Sequence, residues 1–300
     1  MKVLTPIPSW LESVLEHRVH FTTGGLGGLL DHYRVTNALG EALAQKIVTP
    51  DTLQIWLTEQ VGKYTTTTLA VSTTDGWTAL QVDPRAFWEA CWEEILGRKI
   101  EVPPPPKLKE RTKKAIERYR LLLMFLPIIS ENDYPDNFVK PVWGRYLDVS
   151  KIARKPLPGR WVLIETITKP NWDDPRGYGE DPLGQDLQLM TRFRISWEHL
   201  TAILMPQAAK LFGLVRNAVR EPTAEEWNLI ANLFLWLKAN RGIDLPDLGS
   251  TKSWEWCLNK FGSGIRLIVG SRDDGGLSDV GGDWSDRRNG SIAFRVLAVL

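Results

Sequence analysis

Apolar residues fall in two rhythms along the chain. In the first hundred positions they recur at helical spacing: Ser9 to His20 sets Trp10, Val14 and Leu15 on one side, and Asn37 to Ile47 and Pro50 to Val61 read as two further helices. Gly24, Gly25, Gly27 and Gly28 separate the first from its neighbours. The stretch KYTTTTLAVSTTDGWTALQVD, Lys63 to Asp83, turns to β-branched residues around an Asp-Gly pair, which predicts a hairpin. Pro84 to Leu96 returns to helix with proline in its first turn.

Downstream the rhythm shortens to strands separated by long loops. Pro103 to Pro106 form a stiff segment, a natural boundary, and a basic helix-favouring stretch follows to Arg120. Arg160 to Ile167 is a strand candidate. Ser196 is the expected N-cap of a helix interrupted near Pro206, and Thr223 with Glu226 three residues on forms a capping box for a helix to Lys238. Ile292 to Leu300 is one dense apolar strand interrupted by Arg295. The predicted organisation is a small, mostly helical module over 1–102, a proline-rich linker and basic helix over 103–120, and an α+β domain over 121–300. No internal repeat is visible.

The texture of the last region is unusual. Between Asn259 and Ser291 there are 8 Gly, 5 Ser, 5 Asp and 2 Asn, so most of the segment is loop-favouring. Leu267, Ile268, Val269, Leu277, Trp284 and Ile292 punctuate it, as pegs holding a looped surface in place.

Charge and composition remove several classes. A net charge of +1 argues against a global electrostatic grip on nucleic acid. Lys107 to Arg120, with seven cations against two carboxylates, is the one stretch able to contact nucleic acid, and a solvated helix face is its simpler reading. Cys91 and Cys257 are far apart without a CxxC, which supports neither a disulfide framework nor a cysteine zinc site. The charged, proline-bearing N-terminus is unlike a signal peptide and no apolar run approaches a membrane span, so a cytoplasmic setting is expected. The 14 Trp promise many large anchors.

Candidate chemistry is thin. His17 and His20 share a helix face without further ligands, and His199 lies on a helix with no nucleophile elbow in view. GGLGGLL, Gly24 to Leu30, lacks the Lys-Ser/Thr pair of a phosphate loop. Asp173, Asp174, Glu180 and Asp181 could collect a cation, but a solvated acidic loop is the simpler expectation. No cofactor and no metal is expected.

REPTAEEW (Arg220 to Trp227), SWEWCLNKFG (Ser253 to Gly262) and GSIAFRVLAVL (Gly290 to Leu300) follow one another in an informative order. This succession resembles the domain of formylglycine-generating enzymes and their non-enzymatic relatives, a C-type-lectin-like fold. The ending, with WEWC at Trp254 to Cys257, WSD at Trp284 to Asp286, Arg288, Asn289 and AFRV at Ala293 to Val296, is similar to the variable proteins of diversity-generating retroelements. The resemblance implies a ligand-binding protein, not an enzyme, whose surface residues over about 257–292 are rewritten at adenine-containing codons. Protein is the favoured ligand, and association with a virion is a second setting. It implies variable contacts at Phe261, Ile265, Ser271, Arg272, Asp274, Ser278, Asp279, Gly281, Gly282, Asp283, Arg287, Gly290 and Ser291. Trp254, Trp256, Trp284, Asp286, Arg288, Phe294 and Arg295 would be scaffold. The alternatives are an enzyme or metal-dependent protein of the same fold, or a viral receptor-binding display protein. An oxidase of that fold needs a second cysteine beside Cys257, which the domain lacks, and the calcium motifs of sugar-binding lectins are absent.

Overall fold

The computed structural model describes residues 76–144, 147, 148, 150, 152, 157–174 and 176–300. The expected helices before residue 62, the Gly24 to Leu30 loop, His17, His20 and most of the expected hairpin lie outside them. Where that hairpin's second arm was expected, Gly76–Val82 is a helix, α1. Asp-Gly here leads into helical Trp-Thr-Ala-Leu, so the turn signal marks a helix start.

The chain divides into compact units at Thr74/Asp75 rather than at the proline run. The reason is α2, Pro84–Leu96, capped by the Asp83 side chain and ended by Gly97 in the left-handed conformation. Its buried stripe of Phe87, Trp88, Cys91, Trp92 and Ile95 belongs to the core of the second unit. Trp88 and Trp92, one turn apart, donate their indole N–H groups to the carbonyls of Leu123 and Phe125, two residues apart on one strand. The rise of a helical turn, about 5.4–6 Å, matches two strand residues, about 6.8 Å, closely enough for both bonds to form. The prolines are pinned too, since Trp161 Nε1 donates to the Pro103 carbonyl.

After α3, Glu110–Arg118, the chain enters a four-stranded antiparallel sheet in the order β1, β3, β9, β4. These strands are Leu121–Leu126, Arg160–Glu165, Leu297–Val299 and Val219–Arg220. The near-continuous apolar runs LLLMFL and WVLI suit strands covered on both faces.

Two helical elements sit between β3 and β4. α4 is Pro182–Asp186. α5, Trp197–His199, is capped by Ser196 as expected and runs on through a π-helical turn, Leu200–Leu204, into α6, Met205–Phe212. Pro206 therefore does not interrupt the helix. The widened turn, in which the Met205 N–H reaches the Leu200 carbonyl, places the proline within the first turn of α6, where its missing N–H costs little. α7, Ala224–Arg241, has the expected capping box of Thr223 and Glu226 and runs a turn beyond Lys238. It is buried nearly all round, so it forms the centre of the unit rather than its surface.

The second sheet has five strands in the order β2, β7, β6, β5, β8. Their ranges are Val142–Trp143, Asp279–Trp284, Ile265–Val269, Trp254–Phe261 and Ile292–Ala293. The expected C-terminal strand is thus two short ones in different sheets. β8 pairs in parallel with β5 at the edge of this sheet, and three residues later β9 lies between β3 and β4 of the other. Phe294, Arg295 and Val296 cross between the sheets, all buried.

Candidate ligand-binding face

Beneath the looped region lies a charged seam with almost no solvent access. Arg295, brought inside by the crossover, donates to both Glu255 carboxylate oxygens on β5 and to the carbonyls of Glu165 and Ile167 at the end of β3. Trp227 on α7 donates to the same Glu255 carboxylate. Arg192 grips Glu165 with two nitrogens and Asp181 with two, and Glu165 also accepts the Val296 backbone N–H. Burial opposes the charge on Glu255, but Arg295, Lys169 and Trp227 outweigh it and hold its carboxyl below the usual range. Burial likewise works against Arg192, and Glu165 and Asp181 keep it firmly protonated.

Lys169 performs a related task by backbone contacts. Its ammonium donates to the carbonyls of Ser253 and Gly270, fixing the start of β5 to the end of β6. Burial draws its pKa down to about 8. The neighbouring loop adds Asn171 Oδ1 accepting from the Lys252 N–H and Pro170 O accepting from Ser253.

On this floor stand two loops. The first, between β6 and β7, coils through two short 3-10 turns, Arg272–Asp274 and Gly276–Ser278. The Arg272 N–H donates to the Thr251 carbonyl, and Asn228 on α7 donates to the Leu277 carbonyl. The second runs from Ser285 to Ser291. Its centre is Asp283, which accepts from the Trp284 N–H, Arg287 and Asn289. Asn289 in turn accepts from the Ser291 backbone and hydroxyl, and Ser285 donates to Glu198.

The thirteen expected contact positions separate into three sets on this geometry. Arg272, Asp274 and Arg287 are exposed, and a Cβ at Gly290 would meet only Arg194 Nε at an ordinary 3.6 Å. Ser278, Asp279, Ile265, Phe261 and Ser291 are half-buried, with Phe261 packed against the core. Ser271, Gly281 and Asp283 are buried and present no side chain to a ligand. Gly282 is closed for another reason: a Cβ there would lie 2.9 Å from Ile265 Cγ2 and 3.4 Å from Leu147 Cδ2.

The expected scaffold shifts by a residue. Trp254 is half-buried and Trp256, Phe294 and Arg295 are buried, but Trp284 is 57% exposed and Asp286 and Arg288 are exposed as well. Asp283, Ser285 and Asn289 hold the second loop instead. Trp284 is the last residue of β7 and lies across Gly264 in the β5–β6 turn, at a sheet end that leaves more than half of it exposed. The signal that could have located the clamps was the Asp-x-Ser spacing on either side of the tryptophan, short polar side chains of the kind that tie down loops.

Other candidate chemistry is accounted for by local contacts. Asp174 pairs with Arg176, Glu180 with Arg120, and Asp181 with Arg192, while Asp173 reaches Lys252 at 3.9 Å. These carboxylates do not converge, and no cluster of three or more potential metal ligands occurs among the described residues. Cys257 is buried beneath α7 and β6, and burial pushes its thiol far above its ordinary value; Cys91, buried in α2, is pushed up to about 12. Neither thiol is poised as a thiolate. His199 is exposed on α5. No helix among the described residues is long and apolar enough to cross a membrane. No known protein-family model matches the chain, and no curated protein matches it.

Proposed function

We propose that residues 121–300 form a C-type-lectin-like domain of the formylglycine-generating type and act as the ligand-binding part of a variable protein diversified by a retroelement. The observation that carries this reading is the layering just described. Exposed positions at Arg272, Asp274 and Arg287, and the half-buried Gly290 whose Cβ would find room, alternate with buried or hydrogen-bonded ones, above a seam whose arginines and carboxylates are paired. Side chains at the open positions can be exchanged with little effect on the fold, because the backbone that carries them is fixed by other residues. A pre-ordered surface also loses less conformational freedom on association, which favours binding by loops of this kind.

The motif order in the sequence supports the same reading, as does the C-terminal strand placed inside the first sheet. The ligand is a macromolecule, with protein favoured, since the open positions are spread over two separate loops, 271–278 and 285–291. Sequencing the DNA beside the gene tests the proposal. A near-identical repeat of the codons for about 257–292, with differences at adenines concentrated on the exposed positions, is expected. Absence of both a repeat and a reverse-transcriptase gene would overturn it.

A further inference from the structure

The two sheets leave a second feature that the ligand-binding face does not use. An open cleft of about 590 Å³ lies where the start of α3 meets the end of α6, and Lys109, Arg111, Lys210 and Arg216 line it with Pro206, Gly213 and Leu214. Four of these seven are cations, and they come from three separate segments: the entry to α3, the last turn of α6, and the turn that follows it. All four are exposed. None forms an ion pair among the described residues, whereas their neighbours Arg118 and Arg120 are paired to Asp186 and Glu180.

Local structure does not absorb this charge. The carbonyls of Ala209 and Lys210 at the end of α6 are taken by the backbone N–H groups of Gly213 and Leu214, leaving them no need of a cationic side chain. Gly213, in the left-handed conformation, lets the Arg111 stem lie against the turn beside the cleft. At the other wall, Lys109 caps α3 with no side-chain bond, so the first N–H groups of that helix lack a side-chain acceptor. Lys107 and Lys114, in the same segment, are exposed and form no ion pair among the described residues, so the array's charge continues along the chain.

We propose that this cleft is a docking surface for the phosphate backbone of double-stranded nucleic acid. The charge density and its extension beyond the cleft fit a repeating polyanion better than a single carboxylate. The lining holds no aromatic side chain, so it offers no stacking platform for unpaired bases. Among the described residues, the large apolar side chains exposed in the adjoining segments are Val215 and Ile203, a small anchor for a bilayer. Binding of this kind is sequence-independent and electrostatic.

The test is fluorescence anisotropy of the full chain with a labelled random-sequence DNA duplex, read across a salt series. Four phosphate contacts predict a log–log slope of about −3.6, a loss of roughly 100-fold in affinity between 50 and 200 mM salt. Changing Lys109, Arg111, Lys210 and Arg216 together to Glu should abolish binding, and exchanging each between Lys and Arg should preserve it. If the fourfold change lowers the melting temperature, Lys210→Glu with Arg216→Glu alone should still reduce affinity at least tenfold. No binding at 50 mM salt, binding insensitive to the Glu changes, or capture by phosphatidylserine vesicles without capture of duplex would each overturn the proposal.

Discussion

The seam around Arg295 and the loops from Ser271 to Ser291 that stand on it both draw on charged and polar residues, yet they are built on opposite terms. In the seam, Arg295, Glu255, Glu165 and Arg192 are each about 1% exposed and every charge meets its partner. In the loops, Arg272, Asp274, Arg287 and Arg288 stand in water, and an ion pair such as Arg287 with Asp283 involves an arginine that is mostly solvated. Charge buried in a low-dielectric interior is specific because mismatching it is costly, while charge on a surface is nearly free to change. The difference teaches where a protein can place variation: above a polar network, not within it.

The sharpest way to break this comparison is at its buried end. Arg295→Met leaves Glu255 without its paired cation and takes a donor from two carbonyls, and is expected to cost about 3–5 kcal/mol, read as a shift of the urea unfolding midpoint. Replacing Glu255 with Leu in the same protein should recover part of that loss, since no unpaired carboxylate then remains. The Glu255 carboxyl is held below its ordinary value, so its contribution is fully present above the unfolded value near 4.5 and is lost as pH falls through the folded one. Equal stability of the single and double variants would show that the pairing has no part in the effect.

A smaller effect is expected at the boundary between the regions. Asp283→Ala removes the acceptor for Trp284, Arg287 and Asn289 and should cost about 1–2 kcal/mol by the same measurement. Arg287→Ser, on the loop above it, should change stability by less than about 0.5 kcal/mol. If the two cost the same, Asp283 does not hold the loop.

Within the face itself Asp279 is the exception. Burial, and secondarily Asp274, push its carboxyl up to about 7, and Oδ2 is buried without a partner. The folded chain therefore holds this proton more tightly than the unfolded one. Stability from this group is greatest below pH 3.8 and falls as pH rises through 7. Asp279→Asn should flatten that slope and raise the melting temperature at pH 8 relative to the parent. An unchanged slope between pH 4 and 8 would contradict the assignment.

Much of the fold was legible where the signal is local. Thr223 and Glu226, or Ser196 before its helix, act through bonds spanning three residues, and sequence spacing alone carries them. The proline run misled because its stiffness says nothing of what lies on either side; the buried Trp88 and Trp92 decide the boundary through contacts more than thirty residues away. Ile292 to Leu300 looked like one strand because an apolar run cannot distinguish one buried strand from two in different sheets. Arg295 within it was the clue, since a buried arginine needs partners on both sides of a crossing. At the face, hydrophobicity placed Trp284 inside and small polar residues outside. Position at a sheet end reversed the first, and the hydrogen bonds of Ser285 to Glu198 and of Asp283 and Asn289 to neighbouring loop groups reversed the second.

The central claim, that a fixed floor carries an exchangeable face, is tested most directly by two libraries of equal size. One randomises Arg272, Asp274, Arg287 and Gly290; the other randomises Ser271, Gly282, Asp283 and Asn289. Both are scored for the fraction of members that retain cooperative thermal unfolding. The account predicts that most of the first library melts within a few degrees of the parent, because surface changes stay within about 0.5 kcal/mol each, and that most of the second does not fold. Similar losses in both libraries would contradict it.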